Sequence, residues 1–383
     1  MTIFPKFPSR KLTFLASTFA LTFGVVLYTP AVLAQYDAAK TYVEVAAVAK
    51  QYPDPNVTID SPAFATGKTD FTSQEEMQTF IQKLAAQSPI MRVQQLGTSQ
   101  QGRAIPLLIF SSQPVADGAQ LSKNGKPTVL IIGSQHGNEP AGGEAALAFA
   151  GMLVNGKMGD ILDRVNILIV PRANHDGTAA FKRGLTDGQD VNRDHLTLAT
   201  PEGQALAKLF NAYQPEVVLD CHEFSAAGRW IDKFGAVQKY DGLIQFATVA
   251  NLQPEQVTAS ETLFRQSMLK AFDKNQLSHS WYFTTNYDKE DKSVAMGGVG
   301  PDTGRNIAGL RNAISFLLET RGVGIGKAHF KRRVYTHLTA IESVVETTAN
   351  HAEQVLMLNR KLRKDVAEKA GKGELDVIGV ATP

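Results

Sequence analysis

The chain is predicted to be α/β, a mixed, mainly parallel twisted sheet with helices on both faces, and three observations predict it. Four runs, Thr128–Glu139, Val165–Asn174, Glu216–His222 and Ile314–Glu319, carry β-branched and apolar residues into a polar end. That is the pattern of strands buried on both faces of a parallel sheet. The first run passes directly into Glu-Pro-Ala-Gly-Gly-Glu-Ala-Ala-Leu, which opens a helix. Finally, 383 residues with 43% hydrophobic content suffice for one large core plus extensions. In an open sheet of this kind, sites lie beyond the carboxyl ends of the strands, so the polar ends of the four runs are expected to share one crevice.

Taken in order, residues 1–34 read as a signal peptide. Lys6, Arg10 and Lys11 precede an uncharged stretch from Leu12 to Leu33, and Val32-Leu33-Ala34 offers small residues where signal peptidase cuts. The competing reading is a membrane anchor, since about 20 apolar residues span a bilayer; the break at Pro30 favours cleavage after Ala34. Of 39 basic residues the segment removes three, which leaves 36 against 37 acidic ones and a nearly neutral exported form. The expected location is periplasmic or secreted, with no stable membrane association after cleavage. Charge of both signs is spread along the chain without a basic block, so no nucleic-acid partner is expected. Cys221 is the only cysteine, which excludes an intramolecular disulfide.

Residues 35–70 are Pro-, Asp- and Ala-rich and read as an N-terminal extension lying over a catalytic domain at 71–350. Ser73–Gln87 reads as a helix capped by Ser73, with Glu75 and Glu76 in its first turn and Met77, Phe80, Ile81 and Leu84 as its apolar stripe. Met91–Gly97 and Ala104–Ser111 read as strands joined through a turn at Gly102. Gly142–Val154 is an Ala-rich helix, and Pro201–Tyr213 is another with Pro201 at its first position. Gly228–Asp302 is the least regular region, with one helix expected over Thr258–Phe272. The loop Gly297–Gly304 superficially resembles a phosphate-binding turn, but no Gly-Lys-Ser/Thr follows, so it reads as a flap. Lys331–Lys369 forms one or two amphipathic helices, and 351–383 is a C-terminal helical tail.

His136 and Glu139 stand on one strand-to-helix turn and His222 at the end of another strand. Two histidines and a carboxylate are a usual donor set for a catalytic zinc, with a fourth position left to water. A ligand imidazole also needs a partner for its other ring nitrogen, and Asp190 is a candidate for His136. Because strand side chains alternate, a His222 facing the metal turns Cys221 into the core. His175 and His195 do not join the metal set.

Six segments then occur in a recognisable order. They are Gly97-Thr-Ser-Gln-Gln-Gly102-Arg103-Ala-Ile105, Gln135-His136-Gly137-Asn138-Glu139-Pro140, Asn174-His-Asp176-Gly177, Asp190-Val-Asn192-Arg193, Asp220-Cys-His222 and Phe316-Leu-Leu-Glu319-Thr-Arg-Gly322. This set resembles the zinc metallocarboxypeptidase family, which shares its fold with the aspartoacylase and succinylglutamate desuccinylase group. The resemblance implies one Zn2+ held by His136, Glu139 and His222, and Glu319 as the general base that takes a water proton and returns it to the leaving amine. The competing reading of Glu319 is a buried carboxylate paired with Arg321. Arg193, helped by Asn192, would grip the terminal carboxylate of a peptide with a free C-terminus. Arg183 would polarise the scissile carbonyl, with Lys182 and Arg172 as rivals for that role.

The chain also departs from the family. Glu223-Phe224 follow His222 where digestive-type enzymes carry Ser-Tyr, and no tyrosine lies between Tyr287 and Glu319 where a mobile one is usual. Arg305 either supplies a substrate contact there or caps the flap against the body. The expectation is a monomeric, secreted zinc metallocarboxypeptidase acting on a protein-derived or cell-wall peptide. The alternatives are an N-acyl amino acid deacylase and a non-catalytic binding protein with a vestigial site.

Overall fold

A computed structural model of the chain describes residues 36–113, 117–370 and 372. The expected signal peptide, its cleavage point and the end of the C-terminal tail lie outside the described residues. Those described form one compact unit, and none of their helices is long and apolar enough to cross a membrane.

Eight strands make the main sheet: β1 (Met91–Thr98), β2 (Ala104–Phe110), β3 (Thr128–Gly133), β4 (Asn166–Val170), β5 (Val217–Ser225), β6 (Gly242–Phe246), β7 (His279–Trp281) and, after a small hairpin of β8 (Phe283–Thr284) and β9 (Ala295–Met296), β10 (Ile314–Val323). Their order is β1-β2-β4-β3-β5-β10-β6-β7. The central four, β4-β3-β5-β10, are parallel and are the four apolar runs of the sequence. β2 and β6 flank them antiparallel, which makes the sheet mixed.

Alternation along β3 assigns the two layers. Val129 and Ile131 join one core with α1 (Gln74–Gln87) and α2 (Pro140–Val154), while Leu130 and Ile132 join a second with α3 (Pro201–Tyr213). Each of these fully buried side chains contributes roughly 2 kcal/mol by leaving water. The capping of α1 is reciprocal: Glu76 N donates to Ser73 Oγ at 3.2 Å and Ser73 N to Glu76 Oε2 at 2.7 Å. The first core also takes α4 (Gln266–Lys274). α5 (Gly304–Leu310) follows the flap, and the C-terminal stretch resolves into α6 (Phe330–Asn350) and α7 (Ala352–Lys369), broken at His351.

Three sequence expectations change. β6 and β7 lie in the region read as least regular, because GLIQF and HSW are too short to show a period. The helix expected over Thr258–Phe272 runs as consecutive helical pieces from Pro254 to Lys274, with a wider π segment at Ser260–Arg265. The N-terminal extension does more than lie over the domain, since Ile59 and Ala63 belong to the first core.

Candidate active site

The turn after β3 is built for close approach. Ser134 takes φ of 49°, in the left-handed region that non-glycine residues seldom occupy. Gly137 lies against the backbone of Gly177, where a Cβ would stand 1.9 Å from the Gly177 carbonyl carbon. This turn delivers His136 and Glu139 to the carboxyl end of the sheet. β5 delivers His222 beside them, and the parallel register places Glu319 of β10 directly next to His222. Leu318 and Cys221 both lie in the first core, so Glu319 and His222 share the opposite face. Cys221 packs on α2, where a Cβ at Gly142 would be 2.6 Å from its own.

His136, Glu139 and His222 are buried, with one ligand atom from each within 4.8 Å of the others. His136 Nδ1 lies 2.8 Å from Glu139 Oε1, His222 Nδ1 lies 2.9 Å from Glu139 Oε2, and the two Nδ1 atoms are 3.1 Å apart. The far nitrogens face carboxylates: His136 Nε2 meets Asp190 Oδ1 at 3.0 Å and His222 Nε2 meets Asp220 Oδ1 at 3.0 Å. Those partners hold the proton on Nε2 and leave both Nδ1 lone pairs converging on one point beside a carboxylate. Converging lone pairs repel unless a cation lies between them, so this donor set fits a zinc ion. The charges agree. Burial pushes the Glu139 carboxyl up, but the His136 and His222 imidazoles outweigh it and hold the group well below the usual carboxylate range. Burial would lower His222, yet Asp220 and Glu139 raise it.

Asp190 was expected behind His136; Asp220 was not singled out for His222. Its signal was available, since a residue two before His222 on a strand shares its face. Gln135 fixes Asp220 through Nε2 at 2.7 Å and 2.8 Å, and its own Oε1 meets His195 Nε2 at 2.9 Å. His195 thus stands behind the ligands, and His175 is tied to Gln74 Oε1 at 2.6 Å, away from them.

Glu319 is 8% exposed. Burial first, and then the charge of Glu139, push its carboxyl up to about 7. Arg321 does not pair with it, being bound to Glu44 instead. Arg183 lies across the site, with Nη1 3.2 Å from His136 Nδ1 and 3.4 Å from Glu139 Oε1 and with Nη2 2.9 Å from Asp190 Oδ2. Its rival Arg172 is directed elsewhere, donating to Thr72 O at 2.8 Å; Lys182 is exposed. Asn192 is engaged within the protein, where its Oδ1 accepts from Gly304 N at 2.7 Å. The half-exposed Arg193 has Nε 3.7 Å from Asp302 on the flap. Arg305 Nη2 donates to Gly298 O, in the glycine-rich loop, at 2.7 Å. Tyr282 was missed as a neighbour of the site; its phenol is raised by burial and then by the Glu319 charge.

The first departure after His222, Glu223, also acquires a reason. Glu223 N donates to Glu139 Oε2 at 3.0 Å, and its carboxylate accepts from Ala141 N at the start of α2 and pairs with Arg333. The early motif is a buttress, since Asp176 accepts from Ser99 Oγ and Gln101 N, both at 2.8 Å, and pairs with Arg103.

Residues 77–294 match the family model described as zinc carboxypeptidase. That span contains all three metal-site residues and stops short of Glu319. Carboxypeptidase 2 of Trichophyton rubrum is 32% identical over 335 residues, covering 84% of this chain and 62% of its own length. Carboxypeptidase E of Caenorhabditis elegans is 27% identical over 251 residues, 61% of this chain and 47% of that protein. The chain therefore spans about three-fifths of the length of the first of these relatives. Among solved structures, carboxypeptidase A from Helicoverpa armigera superposes with a TM-score of 0.57 at 17% identity, covering 74% of this chain and 75% of that one. A metallo-carboxypeptidase from Burkholderia cenocepacia gives 0.53 at 19% identity, covering 72% and 70%. At these identities the likeness is one of fold.

Proposed function

The chain belongs to the zinc carboxypeptidase family, and from that premise we propose that it is a zinc-dependent metallocarboxypeptidase that hydrolyses the amide bond next to the free C-terminal carboxylate of a peptide. The single observation that carries the reading is the convergence of His136 Nδ1, His222 Nδ1 and Glu139 beside Glu319 at the carboxyl end of the sheet. Zinc held by His136, Glu139 and His222 would supply Lewis acidity, polarising a carbonyl and acidifying water.

The remaining chemistry falls to side chains of this protein. Glu319, raised to about 7, can accept the proton of the attacking water and hand it to the departing amine. Arg183 turns a guanidinium toward the space beside Glu139 and neutralises charge that develops on the carbonyl oxygen. Arg193, half exposed, donates Nη1 to Asn192 O at 2.6 Å and meets Asp302 at 3.7 Å, a contact it can exchange for the carboxylate of a chain end. Export by the N-terminal segment and action as a monomer on protein-derived or cell-wall peptides belong to the same proposal.

The test is to purify the exported chain, measure bound zinc, and follow release of single residues from peptides with free and with amidated C-termini. One zinc per chain with cleavage of free ends alone supports the reading. A zinc-loaded protein that releases acyl groups from N-acyl amino acids but nothing from peptides would replace it with the deacylase alternative.

A further inference from the structure

The loop that carries Arg183 is anchored from outside the site. The Arg183 side chain is half exposed, and a long exposed cation has many rotamers, so its aim at Glu139 depends on where its backbone is fixed. On one side the fixing is polar: Arg183 O accepts from Gly137 N and Asn174 Nδ2, both at 3.2 Å. On the other side stands Phe181. The short helix His175–Ala179 ends there with Phe181 N donating to Thr178 O at 3.1 Å and Lys182 N to Gly177 O at 2.8 Å. This pair of bonds puts Phe181, with φ of 49°, at the left-handed position where a helix end usually carries glycine. A bulky residue is strained in that conformation and stays in it only where its surroundings impose it. Glycine would relieve the strain and remove the ring, so the ring itself has a task.

Two other rings hold it. Phe71 stacks on Phe181 with 5.2 Å between centroids and 11° between planes, and Tyr36 meets Phe181 edge-on at 5.0 Å and 63°. Tyr36 and Phe71 lie 4.9 Å apart, so the three rings close on one another in the stacked and edge-on arrangements that aromatic pairs prefer. The group is fastened to the body at two points. Phe71 packs edge-on against Phe330 at the start of α6, 5.0 Å away, and Tyr36 Oη accepts from Lys327 N at 3.3 Å. Gly326 makes room for it, since a Cβ there would stand 2.3 Å from that hydroxyl oxygen. Tyr36 and Phe71 both precede residue 77, where the match to the family model begins.

We propose that Tyr36 and Phe71 are positioning residues: through the Phe181 ring they fix the loop that aims Arg183 at the space beside Glu139. This rests on the peptidase reading above. The N-terminal extension then acts on turnover without touching substrate, because the loop it holds is the one that must be in place when charge develops on the carbonyl oxygen.

The experiment uses the zinc-loaded chain and a peptide with a free C-terminus. Tyr36→Ala should lower kcat by roughly 10- to 100-fold, as small misplacements of a transition-state contact do, with KM changed by less than about twofold and bound zinc unchanged. Tyr36→Phe keeps the ring and should restore the parent kcat. Arg183→Ala by itself should lower kcat by about 100-fold or more, and adding Tyr36→Ala to it should change nothing further, because the ring acts through Arg183. An equal loss from Tyr36→Ala in both backgrounds would overturn the proposal, and so would a Tyr36→Ala protein with the parent kcat. A second measurement needs no turnover. Brief trypsin digestion followed by mass spectrometry should show cuts after Lys182 and Arg183 about tenfold faster in Tyr36→Ala than in the parent, with cuts elsewhere unchanged. A parent that hydrolyses nothing while its variant shows this loosened loop sinks the peptidase and keeps the anchor. Hydrolysis by the parent with the loop cut equally fast in both proteins does the reverse.

Discussion

Arg321, two residues beyond Glu319 on β10, points its Nη2 at Glu44 Oε1, 2.7 Å away in the N-terminal extension. Both side chains are buried, the Tyr52 ring lies 3.8 Å from the guanidinium carbon, and His329 Nε2 takes the other Glu44 oxygen at 2.8 Å. The extension is thus tied to the strand that carries the proposed base. Removing one partner of a buried ion pair costs about 3–5 kcal/mol. Glu44→Gln should therefore lower Tm by about 5 °C or more. Burial alone would raise the Glu44 carboxyl, but Arg321 and His329 lower it below its usual 4.5. Its stabilisation is present above that value and is lost as pH falls through the lowered one. Melting curves between neutral pH and pH 3 should show this acid-side loss in the natural chain and less of it in Glu44→Gln.

Asp190 and Asp220 orient the two imidazoles without being offered as metal donors. Asp220→Asn and Asp190→Asn should each weaken zinc binding by about 10- to 100-fold while leaving the fold intact. Competition against a chelator measures this, and unchanged zinc affinity in both variants would remove the orienting role.

Glu319→Gln should keep one zinc per chain and lose about 10²- to 10⁴-fold in kcat. Burial and Glu139 push the carboxyl up to about 7, and a bound dication opposes that rise. The base must be ionised to act, so kcat/KM should climb with pH on an acid limb at or below about pH 7. A Glu319→Gln protein as active as the parent would take Glu319 out of the mechanism.

His175 is neutral in the fold, lowered to about 3 by burial and by the Arg172 and Arg103 charges. In the unfolded chain it takes a proton near its usual 6.5. Its contribution is complete above that pH and is lost as pH falls toward the lowered value, by on the order of 1 kcal/mol per unit. Tm measured from pH 7.5 to 5 should fall less steeply in His175→Gln than in the natural chain.

The main fold and the metal group are both legible in the sequence, and for local reasons. The four central strands stand out because burial on both faces demands uninterrupted apolar runs such as Val129–Ile132 and Val217–Leu219. β6 and β7 were invisible because three to five residues show no period, and their places in the sheet come from pairing with β10 and with each other. The roles of Arg321 and Arg305 were likewise hidden. One seemed suited to Glu319 and is bound to Glu44; the other was left between a substrate contact and a flap cap.

By itself the sequence determined which residues have the chemistry to hold a cation and move a proton, because His136, Glu139, His222 and Glu319 stand at the polar ends of strands whose burial is written into their composition. Only the tertiary structure decided which carboxylate faces which imidazole, and which guanidinium keeps a counter-ion. Those partnerships join positions as far apart as Glu44 and Arg321, and they follow from strand register and from distances of a few ångströms that no local pattern of residues encodes.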